Sequence, residues 1–323
     1  MKSTKVTTLL LSLFLVLGLI SAGFAENFPT RPIRVVNPYA PGGATDILAR
    51  AFQRPFEAAL GVKVIIDNKP GGSTKIGVME AMNAKSNGYT ILLTSDVSWV
   101  SFYYSQIFDL KLWEVLTPIG NLTTEPWNLV EVRKESPFKT WADLVKAAKE
   151  NPGKLTCGGS AAGGMPLFFT NQIGKGAGIQ IKHVPFSGAG PAQIALLGGH
   201  IDFRTCTAPE AMPMIRSGKT RALAVTYDKR IKALLPGVPT FDELGMKLPA
   251  VVTRAIWGPP KLPQNITDII AKAIEKGTQD PEFIKLVEES LFFTVEFRPG
   301  QRMREAIMNF DKDWGPSFIE TFK

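Results

Sequence analysis

With 323 residues, 45% of them hydrophobic, the chain is long enough to form two domains with apolar cores. Its formal net charge of +8 falls to +6 without the two N-terminal lysines, and this mild basicity suits an anionic ligand. The positive charges are scattered rather than grouped with aromatic residues, which argues against a nucleic-acid-binding protein.

The first 25 residues have the pattern of a secretory signal peptide. Lys2 and Lys5 precede an apolar run at 9–20, and the segment ends in small residues up to Ala25. A transmembrane anchor needs about 20 apolar residues, and this run is shorter. We therefore predict cleavage before Glu26, export to the periplasm, and a mature protein that is not inserted in the membrane.

After the signal peptide, the sequence predicts a strand, a glycine turn and a helix. Residues 33–36 are apolar and β-branched, Pro38 ends the strand, and the glycines at 42–43 allow a sharp turn. Apolar residues then recur at helical spacing, and Thr45 or Asp46 is expected to cap this helix.

A turn of this kind aims unpaired backbone N–H groups at one point, which predicts an anion site. No side-chain cation lies between Arg34 and Arg50, so the backbone itself would bind a ligand carboxylate. The predicted ligand-binding residues of this loop are Tyr39, Ala40, Gly42, Gly43, Ala44, Thr45 and Asp46. Asp46 has three roles open: a carboxylate favoured by the helix dipole, a lock for the loop, or a partner for a ligand amine or hydroxyl.

The strand–helix alternation continues through the first third of the chain. Strands are predicted at 62–66 and 90–94, with a helix at 74–84 between them. Short connections between such units predict a parallel sheet covered by helices. Ser95 and Asp96 follow the third strand at the edge of the first loop, so they are candidates for the ligand pocket or for helix capping.

The middle of the chain begins a second series of the same units. Residues 116–133 are expected to be extended and loop-like, with the first crossing between domains near 124–127. Thr140 and Asp143 have capping-box spacing at the start of a helix at 140–150. We expect this helix to open the second domain.

Glycine-rich turns recur in the second series. A strand at 154–157 precedes a glycine-rich loop and an apolar helix from Met165, and the segment 183–191 repeats the pattern with Pro191 in the first helical turn. Further strands at 201–205 and 221–226 flank a helix at 209–217. The predicted ligand-binding residues of this half are Gly158, Gly159, Ser160, Ala161, Ala162, Gly163, Phe186, Ser187, Arg204 and Thr205.

Helices dominate the last part of the chain. They are predicted at 266–277, 281–290 and 299–322, with one strand at 293–297, and are expected to pack back on the first half. Two α/β domains with facing glycine-rich helix starts describe a cleft that closes on a small anion.

Nine ordered motifs resemble one receptor family over residues 28–314. They are PTRPIR at 29–34, PYAPGGATD at 38–46, DNKPGG at 67–72, NGYTILL at 87–93, NPGKL at 151–155, HVPFSGAGP at 183–191, LGGHID at 197–202, SGKTRALAV at 217–225 and LPGVPT at 235–240. Each motif is weak alone, but their order and spacing are specific. The chain resembles the extracytoplasmic solute-binding receptors of tripartite tricarboxylate transporters, the TctC or Bug family.

The resemblance implies a type II periplasmic binding protein fold with two α/β domains and a ligand cleft between them. Domain 1 would comprise 26–125 plus 252–323, and domain 2 would comprise 126–251. Loops 39–46 and 158–163 would hold a ligand carboxylate through backbone N–H groups and waters. The implied partners are a large and a small membrane subunit of an ion-gradient-driven transporter, and the receptor is expected to be a monomer without cofactor or metal.

The chain departs from the family pattern at two places. Arg204, Thr205 and Cys206 stand where many relatives have an apolar residue, Phe and Asp, and the second loop is poorer in serine. Arg204 would pair with a second ligand carboxylate or, alternatively, serve the structure. Cys157 and Cys206 are expected either to pair in the exported protein or to act as two small buried hydrophobes.

The sequence lacks the common catalytic motifs that its glycine-rich segments suggest. Residue 162 is Ala, so the glycine loop lacks the G-x-S-x-G nucleophile elbow, and Pro213 occupies the glycine position that a phosphate loop ending at Thr220 requires. His183 and His200 lack metal-ligand spacing. We therefore predict that the chain is not an enzyme.

The hypothesis from sequence is a periplasmic receptor that captures a small carboxylate and delivers it to a membrane transporter. The alternative is a periplasmic sensor that passes the ligand signal to a two-component system. Tyr39, Phe186 and Trp127 are expected either to stack on the ligand or to pack in the core. A bulky residue at Gly43 or Gly159 is expected to abolish binding while it changes thermal stability by no more than about a few kcal/mol. Tricarboxylates, dicarboxylates, aromatic acids and amino acids all remain open as ligands.

Overall fold

The computed structural model describes residues 28–125, 128–160, 163–226, 230–231, 234–249 and 252–322. The predicted signal peptide at 1–25 lies outside these residues, as do Trp127, Ala161 and Ala162. Of the helices in the described ranges, none is both long and apolar enough to cross a membrane.

Strands and helices alternate along the described residues. The strands are β1 (Ile33–Asn37), β2 (Val64–Asn68), β3 (Thr90–Thr94), β4 (Thr117–Glu125), β5 (Asn128–Arg133), β6 (Thr156–Ser160), β7 (Lys182–Phe186), β8 (Phe203–Thr207), β9 (Thr220–Val225), β10 (Val252–Gly258) and β11 (Thr294–Val295). The helices are α1 (Ala44–Leu60), α2 (Lys75–Met82), α3 (Ser98–Tyr104), α4 (Leu112–Val115), α5 (Trp141–Glu150), α6 (Met165–Ala177), α7 (Ala189–Leu197), α8 (Ala208–Arg216), α9 (Gln264–Thr278), α10 (Pro281–Lys285), which continues as a π-helical turn (Leu286–Ser290), and α11 (Gly300–Phe322).

Two sheets organise these elements. The first has the order β11–β4–β10–β3–β1–β2, and the second has the order β7–β6–β8–β5–β9. In the first sheet β1 lies parallel between β2 and β3, and β10 pairs antiparallel with β3. In the second sheet β6 lies parallel between β7 and β8, and β5 pairs antiparallel with β8. The predicted architecture of parallel strands covered by helices is confirmed. We call each sheet with its covering helices a lobe.

The chain passes between the sheets twice. It leaves the first sheet after β4, enters the second at β5, and returns as β10, which pairs antiparallel with β3 and β4. The first sheet therefore contains strands from both ends of the chain. The predicted domain boundaries at 125/126 and 251/252 fall beside residues outside the described ranges and stay a prediction.

The expectation of a loop-like segment at 116–133 is wrong, because this segment forms β4 and β5. Pro118 and Gly120 weaken the local strand pattern of β4. Its main partner is β10, more than one hundred residues later in sequence, and the register between them shifts twice. A strand that depends on so distant a partner leaves little local signal.

The capping box predicted at Thr140 and Asp143 is confirmed. The Asp143 N–H donates to Thr140 Oγ1 at 3.2 Å, and the Thr140 N–H donates to Asp143 Oδ2 at 2.8 Å. These reciprocal bonds satisfy two backbone donors at the start of α5. The expected helix therefore begins where its sequence signal lies.

The C-terminal segment packs on the first lobe as predicted and also reaches the second. Helix α9 shares an apolar core with α1, and β10 and β11 extend the first sheet. Phe318 of α11 is fully buried and stacks on Phe168 of α6 with ring centroids 3.9 Å apart. Lys175 of α6 lies 2.5 Å from the Glu320 carboxylate. Helix α11 therefore connects the lobes.

The two cysteines are free and buried. Cys157 of β6 lies beside Phe203 of β8, so Cys206, three residues further along β8, has its side chain on the opposite face of the sheet. Accordingly, Cys157 and Cys206 belong to different apolar clusters. Of the two alternatives left open by the sequence, the structure has two buried hydrophobes rather than a disulfide.

Candidate functional site

A cavity of about 450 Å³ lies between the two lobes. Both sheets contribute to its wall through loops that follow the carboxyl ends of their parallel strands, where α/β proteins bind ligands. The predicted residues that line it are Tyr39, Ala40, Gly43, Ala44, Thr45, Ser95, Phe186, Ser187 and Thr205. Gly42, Asp46, Asp96, Gly158, Gly159, Gly163 and Arg204 do not line it.

Six helices start at the cavity wall. Helices α1, α2, α3, α6, α7 and α8 each have their first residue or the residue just before it in the lining. The N–H groups of a first helical turn have no intrahelical acceptor, and the helix dipole adds partial positive charge there. Starts from both lobes therefore surround the cavity with positive potential, which favours an anion.

Helix α1 presents its backbone to the cavity without a side-chain cap. It begins at Ala44 with Gly43 as the capping residue, so the expectation that Thr45 or Asp46 caps the helix is wrong. Both residues lie inside the first helical turn, because the turn at Gly42 and Gly43 ends before them. The first-turn N–H groups of Ala44 and Thr45 are left for a ligand.

Asp46 locks this loop. Its carboxylate accepts hydrogen bonds from the Gly42 N–H at 2.9 Å, from Arg50 Nε at 3.1 Å and from Asn68 Nδ2 at 3.0 Å. Burial opposes ionisation, but the donors from Gly42, Arg50 and Asn68 outweigh it and hold the pKa of Asp46 below its ordinary value. Of the three roles open from sequence, this geometry matches the lock.

The second lobe supplies a facing helix start at α7. Gly188, Ala189 and Gly190 line the cavity, and the N–H groups of Ala189 and Gly190 precede the first intrahelical bond. A Cβ added at Gly188 would lie 3.5 Å from Ala40 Cβ of the first loop. The two lobes therefore meet at the cavity, and their loops are close enough to hold one small ligand together.

The glycine loop predicted at 158–163 is placed differently. Gly158 and Gly159 lie inside β6, which runs three residues beyond its predicted end. A Cβ at Gly159 would lie 2.2 Å from Pro166 Cβ, and one at Gly158 would lie 2.3 Å from Ile201 Cδ1. These glycines allow close packing beneath the wall, so a side chain at Gly159 would disturb packing rather than ligand contacts alone. Ala161 and Ala162 lie outside the described residues.

Gly163 connects the lobes rather than lining the cavity. Its carbonyl accepts hydrogen bonds from Ser101 Oγ at 2.7 Å and Ser105 Oγ at 3.2 Å. A Cβ at Gly163 would lie 2.4 Å from Ser105 Oγ, and its φ of +72° favours glycine. The glycine pattern here reflects a close backbone approach between the lobes.

Arg204 is held inside the second lobe. Its Nε donates to Glu131 Oε2 at 2.5 Å, and its Nη groups donate to the Ala189 and Glu210 carbonyls at 3.3 and 3.2 Å. Both members of the Arg204–Glu131 ion pair are almost fully buried. The structure therefore gives Arg204 an internal partner in place of a ligand carboxylate, the structural alternative left open by the sequence.

Of the neighbouring residues Ser95 and Asp96, only Ser95 lines the cavity. Ser95 lines the cavity, whereas Asp96 is buried behind it and accepts hydrogen bonds from the Val97 N–H and from Thr253 Oγ1. Burial raises the pKa of Asp96 from 3.8 to about 6, although these bonds and the positive charge of Arg254 oppose the rise. Asp96 therefore gains or loses its proton at a pH not far below neutral.

Several lining residues were not predicted from sequence. The loop at 70–74 reaches the cavity as a glycine-rich turn after β2, a signal of the kind used for the other loops. Asn128 and Arg254 reach it from β5 and β10, and no local motif marks them. The apolar part of the wall includes Met165, Pro166 and Phe169 of α6, together with Phe186.

His183 and Cys157 lie outside the cavity lining and are close to each other. Desolvation lowers the pKa of His183 to about 4 and burial raises the pKa of Cys157 to about 11, so at neutral pH the imidazole and the thiol are both uncharged. Thr170 Oγ1 lies 3.2 Å from each of them. Within the described ranges no group of acidic, histidine or cysteine side chains has the arrangement of a metal site. The geometry is that of a binding site.

Comparisons with known proteins point the same way. The sequence model described as tripartite tricarboxylate transporter family receptor matches residues 48–316. The chain is 30% identical to a UPF0065 protein of Bordetella pertussis, over 91% of this chain and 89% of that protein. It is similar to the structure of the periplasmic binding protein BugD at 26% identity and a TM-score of 0.81, covering 91% of this chain and 98% of BugD.

An R. palustris protein solved with adipate shares the fold at 23% identity and a TM-score of 0.81, covering 92% of this chain and 98% of that one. The family match and these structures confirm the predicted two-lobed periplasmic binding protein fold. The chain is thus similar to receptors and binding proteins rather than to enzymes.

Proposed function

The chain belongs to the tripartite tricarboxylate transporter receptor family, and on that premise we propose that it captures a small organic carboxylate between its lobes. The observation that carries this proposal is the arrangement of helix starts around the interlobe cavity. Backbone N–H groups of α1 and α7 would hold the carboxylate from opposite lobes, so that its negative charge is stabilised on both sides.

The remainder of the wall suits the carbon skeleton of such an acid. Met165, Pro166, Phe169 and Phe186 form an apolar surface beside the helix starts. An acid with an apolar body would bury its carbon atoms there and leave its charged group at the backbone donors. The R. palustris protein with the same fold was solved with adipate, which makes straight-chain acids suitable first probes.

We extend the proposal to where the receptor works and what it serves. The N-terminal pattern of a basic start, an apolar run and small residues supports export to the periplasm. Membership of the family supports delivery of the acid to the membrane subunits of a tripartite transporter. A monomer suits this task, because one chain forms both walls of the cavity.

Thermal unfolding of the mature chain, residues 26–323, against a panel of organic acids tests the proposal. An acid at 100 times its dissociation constant should add roughly 2.7 kcal/mol to the free energy of unfolding, which is visible as a higher midpoint. The methyl ester and the amide of the same acid serve as controls, since both lack the anionic group. Stabilisation by the ester or amide equal to that by the acid would contradict a carboxylate site, as would no stabilisation by any acid.

A further inference from the structure

One buried arginine supports the cavity wall of the second lobe from behind. Arg204 lies on β8 with 2% of its surface exposed, and it does not line the cavity. Glu131 of β5 is its cross-strand neighbour and accepts a hydrogen bond from its Nε. Its Nη1 donates to the Ala189 carbonyl at 3.3 Å, and its Nη2 donates to the Glu210 carbonyl at 3.2 Å and to Gln193 Oε1. The guanidinium therefore joins the centre of the sheet to the first turns of α7 and α8.

The start of α7 has little support from its own residues. Its first turn has no side-chain cap, and Gly188 and Gly190 lie on either side of Ala189. Glycine loses more conformational freedom on folding than any other residue, so a helix start with two glycines is costly to keep ordered. Helix α8, by contrast, has a capping bond of its own, since Glu210 Oε2 accepts the Thr207 N–H at 3.1 Å. Of these two helix starts, α7 is therefore the one that depends on the guanidinium.

The bond to the Ala189 carbonyl also sets the direction of the next backbone N–H group. In a trans peptide unit the C=O and the N–H point in opposite directions. The Ala189 carbonyl and the Gly190 N–H belong to one trans unit, so an arginine that holds the carbonyl leaves the N–H directed away from itself. Ala189 and Gly190 line the cavity, whereas Arg204 lies behind them. The Gly190 N–H is thereby kept available to a ligand in the cavity.

A charged residue behind the cavity lining holds a helix start in each lobe. In the first lobe Asp46 accepts the Gly42 N–H at 2.9 Å and fixes the loop before α1. We infer that Arg204 is a positioning residue of the ligand site, which fixes the start of α7 before a ligand arrives and thereby strengthens binding. A group that is already held in its bound conformation loses less entropy when the ligand binds. This inference rests on the proposed function and deepens it.

Hydrogen exchange of the ligand-free mature chain, measured by NMR, tests whether Arg204 fixes α7. The reporter is the amide of Ala192, whose N–H donates to the Gly188 carbonyl at 3.3 Å at the start of the helix. In Arg204→Lys this amide should exchange about fivefold faster or more, because the ammonium keeps the charge beside Glu131 but lacks the planar fork that reaches several acceptors at once. The amides of α5, in the same lobe, should exchange as in the wild type, which separates a local effect from a general loss of stability.

Calorimetry tests whether the fixed helix start serves a ligand. The probes are the straight-chain carboxylates from acetate to octanoate and from malonate to suberate. Arg204→Lys should bind the tightest of these acids on the order of tenfold more weakly than the wild type.

Arg221→Lys is the matched control for both measurements. Arg221 lies on β9 of the same sheet, its Nη2 donates to the Lys134 carbonyl, and it does not line the cavity. This variant should keep the exchange and the affinity of the wild type. Gln193→Met provides a second test if Arg204→Lys fails to fold, because it removes one acceptor on α7 and leaves the buried ion pair intact. Its exchange at Ala192 and its affinity should change in the same directions, by about threefold.

Wild-type exchange at Ala192 in Arg204→Lys and Gln193→Met would overturn the inference and leave the proposed function in place. Wild-type affinity in a variant whose Ala192 amide exchanges faster would do the same. Equally faster exchange in α5 would also overturn the inference, since Arg204 would then only stabilise the fold. If none of the acids binds the wild type, the proposed function and the inference fail together.

Discussion

Two aspartates near the cavity show how differently the same side chain behaves at the residue scale. Asp46 is surrounded by donors from its own loop, from α1 and from β2, so its carboxylate is stabilised and its pKa is lowered. Asp96 is buried with fewer donors, so its pKa rises to about 6. Asp46 therefore keeps its charge in the folded protein, whereas Asp96 changes charge close to neutral pH.

Asp96 leads to a prediction about stability and pH. Its folded-state pKa of about 6 exceeds its ordinary value of 3.8, so the folded protein binds the proton more tightly than the unfolded chain does. Stability therefore increases as the pH falls from about 6 towards 4. Between pH 7 and pH 5 the wild type should gain about 1 kcal/mol relative to Asp96→Asn.

Urea denaturation of both proteins at the two pH values measures this difference. Asn retains an oxygen that accepts from Val97 and Thr253, so the variant preserves the local bonds. His183 is present in both proteins, so its titration cancels in the comparison. Parallel changes in stability for the wild type and the variant would show that Asp96 is ionised like an ordinary carboxylate.

Gly43 and Gly159 give a second prediction at this scale. Gly43 lines the cavity with an ordinary extended backbone, and an added Cβ would meet one protein atom, the Ala40 oxygen, at 3.4 Å. Gly43→Val should therefore change the free energy of unfolding by about 1 kcal/mol or less, while weakening carboxylate binding on the order of tenfold or more. Gly159→Val should instead destabilise the protein by about 3 kcal/mol or more, because its side chain would overlap Pro166 and His183.

Calorimetry and denaturation on the two variants separate these effects. Ala142→Val is the control, because Ala142 is exposed on α5 and lies outside the cavity lining. Tight binding by Gly43→Val would remove Gly43 from the site, and wild-type stability of Gly159→Val would contradict the packing role of Gly159.

At the scale of elements, the helix starts and the C-terminal helix have separate tasks. The starts of α1 and α7 face each other across the cavity and supply backbone donors. Helix α11 lies away from the cavity and packs between elements of both lobes through aromatic side chains. The helix starts of α1 and α7 and the aromatic side chains of α11 are thus separate features of the molecule, so they can be perturbed independently.

Phe318 tests the connecting role of α11. Its ring is fully buried and stacks on Phe168 of α6 and on Tyr104 of α3, with centroid distances of 3.9 and 5.9 Å. Phe318→Ala should lower the free energy of unfolding by about 3–5 kcal/mol, since it opens a cavity at this junction. The neighbouring Ile319 is 42% exposed, and Ile319→Ala should lower it by about 1 kcal/mol or less. Equal losses for the two variants in urea denaturation would contradict the junction.

At the scale of the whole molecule, the two sheets place two sets of helix starts against each other. Five strands of the first sheet, β2–β1–β3–β10–β4, follow the same arrangement as β7–β6–β8–β5–β9 of the second. In each sheet the fourth of these strands, β10 or β5, is antiparallel to its neighbours and enters from the opposite lobe. The crossing strands β5 and β10 therefore bring Asn128 and Arg254 to the cavity wall. The same connectivity that joins the lobes therefore supplies polar side chains to the cavity.

Much of this molecule follows from local sequence pattern. Glycine and proline end β1 and open α1, and Thr140 with Asp143 starts α5, because these effects act within a few residues. The rule that parallel strands end at one edge then places residues such as Tyr39, Ser95 and Ser187 at one cavity, although they are far apart in sequence. Several strands, among them β2 and β6, end two or three residues later than the sequence predicted, since packing rather than local preference decides where a strand ends.

The sequence by itself determined the family, the two α/β units and the loops that follow the parallel strands, because periodicity and turn chemistry act over short distances. Only the tertiary structure decided which polar groups are already paired. Arg204 meets Glu131 from 73 positions away, and Asn128 and Arg254 are brought to the cavity by strands whose partners lie in distant parts of the chain. Whether a buried side chain serves the fold or a ligand depends on such long-range partners, and local pattern contains no record of them.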